Sequence, residues 1–174
     1  KKETKLPILL FPGHIDQITP KADGILFLSL LSGRNPEYLI EQQVQSVPFL
    51  QKTALEIIPT GYVLIDGGKH TATQKVSNTE PIDQQDEHLI LNTSLAGEYS
   101  GKKLIYLEAG SGAKVPVNSS VIKKVKHHLS IPLIVGGGIK TRVHLENAFS
   151  AGADLVVIGT AFEENENFFN DLKK

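Results

Sequence analysis

Ile134-Val135-Gly136-Gly137-Gly138-Ile139 and Asp154-Leu155-Val156-Val157-Ile158-Gly159-Thr160 decide the fold class. Each is a short apolar run that ends on glycine, and one helix's length of chain separates them. Continuously apolar runs suit strands buried on both faces, as in a parallel sheet covered by helices. Glycine at a strand end lets backbone N–H groups approach an anion with no Cβ in the way, and a following helix start adds favourable partial charge. In (β/α)8 barrels the loops after the last two strands often form such a phosphate site. A single run of this kind reads as a tight turn. Two of them, late in an α/β chain, point to phosphate binding at these strand ends. Lys140 either adds charge there or is solvated.

Upstream, the same kind of apolar run recurs at Ile8–Phe11, Gly24–Leu30, Ile57–Asp66 and Lys103–Glu108. Helical patterns lie between the runs. Asn35-Pro36 is an N-cap with proline at the first helical position, leading into Glu37–Val47. Asp86–Tyr99 places Leu91, Leu95 and Tyr99 on one stripe, and Gly101 is positioned to end it. Val121, Ile122, Val125 and Leu129 form another stripe, with Lys123, Lys124 and Lys126 largely off it. Thr141–Ser150 ends at Gly152, and Glu163–Leu172 closes the chain. Alternating β and α predicts a parallel sheet with helical crossovers, and the two glycine-bearing strand ends favour a TIM-like (β/α)8 barrel over an open doubly wound sheet. Six strands are counted where a barrel has eight. The expectation is a single (β/α) barrel domain over residues 1–174 that lacks its first two β/α units.

Tyr106 and Glu108 are two apart on the fourth run and therefore share a strand face. At the end of a barrel strand that face looks toward the mouth where chemistry occurs. A carboxylate there can take a proton from a hydroxyl, and a phenol can orient a substrate. Taken alone, Glu108 reads equally as a structural acid hydrogen-bonded to the loop Ala109-Gly110-Ser111-Gly112. Asp66, before Gly67-Gly68, reads as a strand-end or turn residue.

Composition narrows the classes. The 174 residues are 40% hydrophobic and 21% charged, with a formal net charge of -1, so no general attraction to nucleic acid or an anionic membrane is expected. The absence of cysteine excludes disulfides, thiolate catalysis and cysteine metal sites, and is compatible with a cytoplasmic protein. The Lys1-Lys2-Glu3-Thr4-Lys5 start is not followed by a long apolar region, so a signal peptide is not expected. His70, His88, His127, His128 and His144 lack metal-ligand spacing, and His14, which follows a strand end, either faces the site or, as the better reading, is a solvated loop residue. Glu163, Glu164 and Glu166 read as a solvated face.

Tyr106-Leu107-Glu108-Ala109-Gly110-Ser111-Gly112 closely resembles the tyrosine–x–glutamate segment of the geranylgeranylglyceryl phosphate synthase family, which is related to heptaprenylglyceryl phosphate synthase. Ser29-Leu30-Leu31-Ser32-Gly33-Arg34-Asn35-Pro36, Ile58-Pro59-Thr60-Gly61-Tyr62 and Ser77-Asn78-Thr79-Glu80-Pro81 resemble further segments in the same order. The match runs from about Phe11-Pro12-Gly13 to Thr160, and looks closer to the geranylgeranyl branch than to the heptaprenyl one.

The resemblance implies a prenyltransferase of archaeal-type ether lipid biosynthesis. It would join the C3 hydroxyl of sn-glycerol 1-phosphate to geranylgeranyl diphosphate and release pyrophosphate, with Mg²⁺ on the diphosphate. Glu108 would be the base and Tyr106 would position the glycerol phosphate. Gly136, Gly137, Gly138, Gly159 and Thr160 would hold its phosphate, with Ser111 close by. The prenyl tail needs an apolar groove; Tyr62 and the Ile57–Leu64 strand are candidates for it, or are core. Arg34 is a candidate for the diphosphate, or forms a surface ion pair. The metal-binding aspartate of the family is expected on a first strand that would precede Lys1, and neither Asp16 nor Asp66 is assigned to it. A homo-oligomer and peripheral membrane contact through the lipid product are also implied. Rival readings are a heptaprenyl-specific relative, a phosphosugar isomerase or aldolase barrel, and a non-catalytic phosphate- or lipid-binding module.

Overall fold

Six parallel strands pair strictly in chain order. They are β1 (Leu9–Leu10), β2 (Gly24–Leu30), β3 (Glu56–Leu64), β4 (Leu104–Glu108), β5 (Leu133–Gly136) and β6 (Leu155–Val157). The structure is a computed structural model and describes residues 4–165 and 167–171. Lys1, Lys2, Glu3, Glu166 and Leu172 lie outside the described residues.

The helices are α1 (Gln42–Leu50), α2 (Ala72–Ser77), α3 (Glu87–Tyr99), α4 (Ser119–His128), α5 (Arg142–Ser150), α6 (Thr160–Glu164) and α7 (Phe168–Asp171). A π-helical turn, Glu37–Glu41, leads into α1, and the Asn35 side chain accepts from the Glu37 N–H at 3.1 Å. The Asp86 carboxylate caps α3 by accepting from the Leu89 N–H at 3.0 Å, and Gly101 follows its end at φ 85°.

Period-two alternation splits the buried side chains between two faces of the sheet. Val63, Ile105, Leu107, Leu133 and Val135 face the helices, where Ile90, Val121, Ile122, Val125 and Ala148 meet them. Leu26, Leu30, Tyr62, Leu64, Leu104, Tyr106 and Ile134 form the opposite, concave face. The C-terminal strand ends open on that second face.

Three expected details differ. Tyr99 is 82% exposed, and the buried face of α3 is Ile90, Leu91, Ser94 and Gly97. At Gly97 a Cβ would lie 2.6 Å from Leu31 and 2.9 Å from Ile105, so close packing of helix on sheet selects that face over the bulkier stripe. The closing helix predicted over Glu163–Leu172 is instead two short helices, parted at Asn165. The Asn165 carboxamide accepts from the Asn167 N–H at 3.0 Å, an Asx turn that competes with helical pairing. Finally, α2 is an element that no hydrophobic period announced. It is held by its ends: the Thr71 hydroxyl accepts from the Gln74 N–H, and Asn78 closes it in the left-handed region at φ 49°.

Candidate active site

Tyr106 and Glu108 do share the concave face of β4, and both are buried. Glu108 Oε1 accepts from the Gly110 N–H at 2.7 Å, so the structural role open to it is also filled. Burial pushes its carboxyl above the usual carboxylate range, against the lowering effect of Tyr106 and the Gly110 N–H. The Tyr106 hydroxyl is close enough to bear on that charge, yet it makes no hydrogen bond of ordinary geometry among the described residues. Burial first, and then the Glu108 charge, hold both Tyr106 and Tyr62 well above the usual phenol range. These phenols therefore remain hydrogen-bond donors.

Gly136 is the register partner of Glu108 on β5. A Cβ there would run into the Tyr106 hydroxyl and lie 2.7 Å from Glu108 Oε2. Its function is to leave room for the two side chains, and it does not line the cleft. The candidate phosphate residues that do reach the cleft are Gly137, Gly138, Gly159, Thr160 and Ser111, joined by Lys140. Gly137 and Gly138 adopt φ 80° and 71°, which glycine tolerates without strain.

The Thr160 hydroxyl accepts from the Gly112 N–H at 3.1 Å and lies 3.2 Å from the Ser111 hydroxyl, tying the loop after β4 to the one after β6. Among the described residues the N–H groups of Ser111, Gly137, Gly138 and Thr160 have no acceptor. Converging free N–H groups are what an anion requires.

The cleft has a volume of about 770 Å³ and continues from this polar end into an apolar stretch. Tyr62 borders it, with its ring 5.3 Å from Tyr106, and Phe11 stacks on Tyr62 at 6.0 Å and meets Tyr106 tilted at 5.2 Å. Apart from Tyr62, residues of the Ile57–Leu64 strand are absent from its walls; Thr60–Leu64 are buried, whereas Ile57 is 41% exposed. Its apolar walls come mainly from β2, the segment after β1, the π-helical turn before α1, and α2, through residues such as Phe27, Leu28, Ile15, Ile18, Tyr38 and Val76, while α1 itself contributes Gln42, Gln43 and Ser46. None of these stood out in the sequence, because a short apolar run looks the same whether it faces core or cleft. The one available signal was Thr71 and Asn78, whose cap chemistry marks the ends of α2.

Arg34 is corrected. Its guanidinium donates to the Leu31 and Gly33 carbonyls at 3.1 and 2.8 Å and does not line the cleft. His14, expected to be solvated, stands at the cleft mouth while remaining 55% exposed. Asp66 is the turn residue expected, accepting from the Gly68 N–H at 2.7 Å. Among the described residues no group of three or more His, Cys, Asp or Glu side chains could hold a metal ion, and no helix is long and apolar enough to cross a membrane.

The pattern of the PcrB family matches residues 1–174. The chain belongs to that family. It is 62% identical over 166 residues to geranylgeranylglyceryl phosphate synthase of Zunongwangia profunda, spanning 95% of this chain and 71% of that protein. With the protein of the same name from Flavobacterium johnsoniae it shares 58% over 170 residues, 98% of this chain and 70% of the relative. Among solved structures, the (S)-3-O-geranylgeranylglyceryl phosphate synthase of Thermoplasma acidophilum, in complex with its substrate sn-glycerol-1-phosphate, superposes with a TM-score of 0.91 at 38% identity. That match covers 98% of this chain and 68% of the other. The parallel α/β half-barrel of this PcrB-family chain is thus the arrangement found in solved synthases.

Proposed function

We propose that the protein transfers a geranylgeranyl group from its diphosphate to the C3 hydroxyl of sn-glycerol 1-phosphate, forming an ether bond and releasing pyrophosphate. The observation that carries the reading is the position of Glu108: a buried carboxylate between a loop cluster rich in free N–H groups and the apolar stretch of one cleft. The names of the relatives and the substrate bound in the Thermoplasma acidophilum structure support it.

In this scheme the phosphate rests on the N–H groups of Gly137, Gly138 and Thr160, with Ser111 and Lys140 beside it. Tyr106 donates to the glycerol part, and the C3 hydroxyl points at Glu108. As the hydroxyl oxygen bonds to C1 of the prenyl chain, its proton passes to Glu108. The C1–O bond to the diphosphate breaks, and pyrophosphate leaves with the electron pair. An allylic carbon ionises readily, so alignment and a base matter more than a strong nucleophile.

Mg²⁺ is proposed as the charge partner of the diphosphate. The described residues bring together no three His, Cys, Asp or Glu side chains that could hold it. We place the six strands as part of one (β/α)8 barrel domain, a reading supported by their sequential parallel order and by β1 and β6 having no further strand partner among the described residues. A cytoplasmic homo-oligomer that touches the membrane through its product completes the proposal. The test is to incubate the full-length protein with sn-glycerol 1-phosphate, geranylgeranyl diphosphate and Mg²⁺ and identify the product by mass. Geranylgeranylglyceryl phosphate is expected; a folded protein that turns over neither this diphosphate nor longer ones would overturn the reading.

A further inference from the structure

Ether formation brings two anionic groups into one cleft, and the loops after β4, β5 and β6 provide for the glycerol phosphate. The other anion is the diphosphate, which leaves as the ether bond forms. Among the described residues, His14 and Lys140 are the cation-forming side chains in the cleft wall, and Glu108 and Glu163 are its carboxylates. Lys140 shares its loop with Gly137 and Gly138 and belongs with the glycerol phosphate. Arg34 is occupied by the carbonyls of its own loop. That leaves His14 for the diphosphate.

His14 opens the 3₁₀ turn Ile15–Gln17 on the segment after β1. Earlier on the same segment, Phe11 lies 5.2 Å from the Tyr106 ring, so this stretch borders the reacting end of the cleft. The imidazole is fixed from one side. Its Nδ1 accepts from the Asp16 N–H at 3.3 Å, and Asp16 Oδ2 is 3.1 Å away. As an acceptor Nδ1 carries no hydrogen, which places the ring's hydrogen on Nε2. A ring protonated against the Asp16 carboxylate carries a hydrogen on Nε2 as well. An anion at Nε2 favours both forms over the tautomer with hydrogen on Nδ1 alone. Nε2 has no partner among the described residues. Gln17 adds a second donor to the same wall. Its carboxamide oxygen accepts from the Gly13 N–H at 2.7 Å, and its nitrogen has no acceptor among the described residues.

We propose that His14 and Gln17 receive the diphosphate of the prenyl donor, His14 Nε2–H and the Gln17 amide donating to its oxygens. The inference rests on the prenyl-transfer reading above. When the C1–O bond breaks, the electron pair stays on the pyrophosphate oxygen, and donors already aimed at that charge stabilise it as it develops. Hydrogen bonds to an ionised acceptor are the strong kind. Asp16 is a positioning residue on the Nδ1 side of the ring.

The experiment titrates the full-length protein with inorganic pyrophosphate in saturating sn-glycerol 1-phosphate and Mg²⁺, so that the glycerol phosphate loops are already filled. Wild type is compared with His14→Ala, His14→Gln and Gln17→Ala, all on an exposed turn. Affinity for sn-glycerol 1-phosphate, rates with geranylgeranyl diphosphate and thermal melting are measured on the same proteins. His14→Ala should weaken pyrophosphate binding about ten-fold or more, the usual effect of losing one hydrogen bond to a charged group. It should lower kcat/KM for the diphosphate at least as much, with sn-glycerol 1-phosphate affinity within two-fold of wild type. His14→Gln keeps an N–H donor and should recover part of the loss, and Gln17→Ala should show a smaller loss of the same kind. Pyrophosphate affinity within two-fold of wild type in folded His14→Ala, or an equal loss for both anions, would overturn the inference. If His14→Ala does not fold, Gln17→Ala decides by the same two-fold criterion. If the wild type turns over no prenyl diphosphate, the function reading fails, and the pyrophosphate titration still decides whether this turn holds a diphosphate.

Discussion

At the residue scale the account turns on one carboxylate. Glu108→Gln keeps the hydrogen bond from the Gly110 N–H but removes the base. Turnover should fall by roughly 10²–10⁴-fold, the usual worth of a general base, while the Kd for sn-glycerol 1-phosphate stays nearly constant; isothermal titration beside a product assay separates the two. The raised carboxyl pKa adds a pH signature. The base form is lost on acidification, so the rate should decline from a higher pH than the ordinary glutamate value of about 4.3 would give. Stability runs the other way. With the folded pKa above the unfolded one, protonation favours the fold; that stabilisation is full below the unfolded pKa and is lost as pH rises through the folded one. Glu108→Gln should thus melt higher than wild type at pH 8, with the gap closing toward pH 4. A variant that melts lower at pH 8 would contradict the burial assigned to the charge.

The glycines separate just as sharply. A Cβ on Gly159 would meet no heavy atom within 4 Å, whereas one on Gly137 would lie 2.6 Å from Glu108 Oε1 and from the Gly110 nitrogen. Gly159→Leu should therefore raise the Kd for sn-glycerol 1-phosphate about ten-fold or more with little change in melting temperature. Gly137→Leu should damage affinity, kcat and stability together. Equal effects from the two substitutions, read by titration and thermal melting, would count against this placement of the phosphate.

At the element scale, cap chemistry was the most legible feature. Asp86 and Gly101 bound α3 as their residue types predict, and Asp86→Ala should cost about 1 kcal/mol of stability with kinetic constants unchanged, as measured by denaturant unfolding and a product assay. Helix faces were less legible. The stripe read for α3 included Tyr99, but contact at Gly97 with Leu31 and Ile105 rotates the buried face away from it. The same limit hid the cleft wall on α1. Asn35-Pro36 marks the start of the π-helical turn that leads into α1, but nothing in the local sequence says that Gln42, Gln43 and Ser46 face a cavity. The break at Asn165 depends on one side chain competing for a backbone N–H, a choice that apolar periodicity does not register.

At the scale of the whole molecule, six apolar runs became six parallel strands in chain order, because continuous apolarity leaves few other ways to bury a strand on both sides. The pairing of Tyr106 with Glu108 and the grouping of Ser111, Gly137, Gly138, Gly159 and Thr160 at one end of the cleft followed from strand alternation and glycine at strand ends. The role of Gly136 did not, since only the register shows it opposite Glu108. The central claim is that the C3 hydroxyl oxygen of sn-glycerol 1-phosphate, deprotonated at Glu108, becomes the ether oxygen. It is tested most directly by labelling that hydroxyl with ¹⁸O and following the label through one turnover with geranylgeranyl diphosphate in the full-length protein. The account predicts label in the ether product and unlabelled pyrophosphate. Label appearing in the pyrophosphate, or an unlabelled prenyl alcohol in place of the ether, would contradict it.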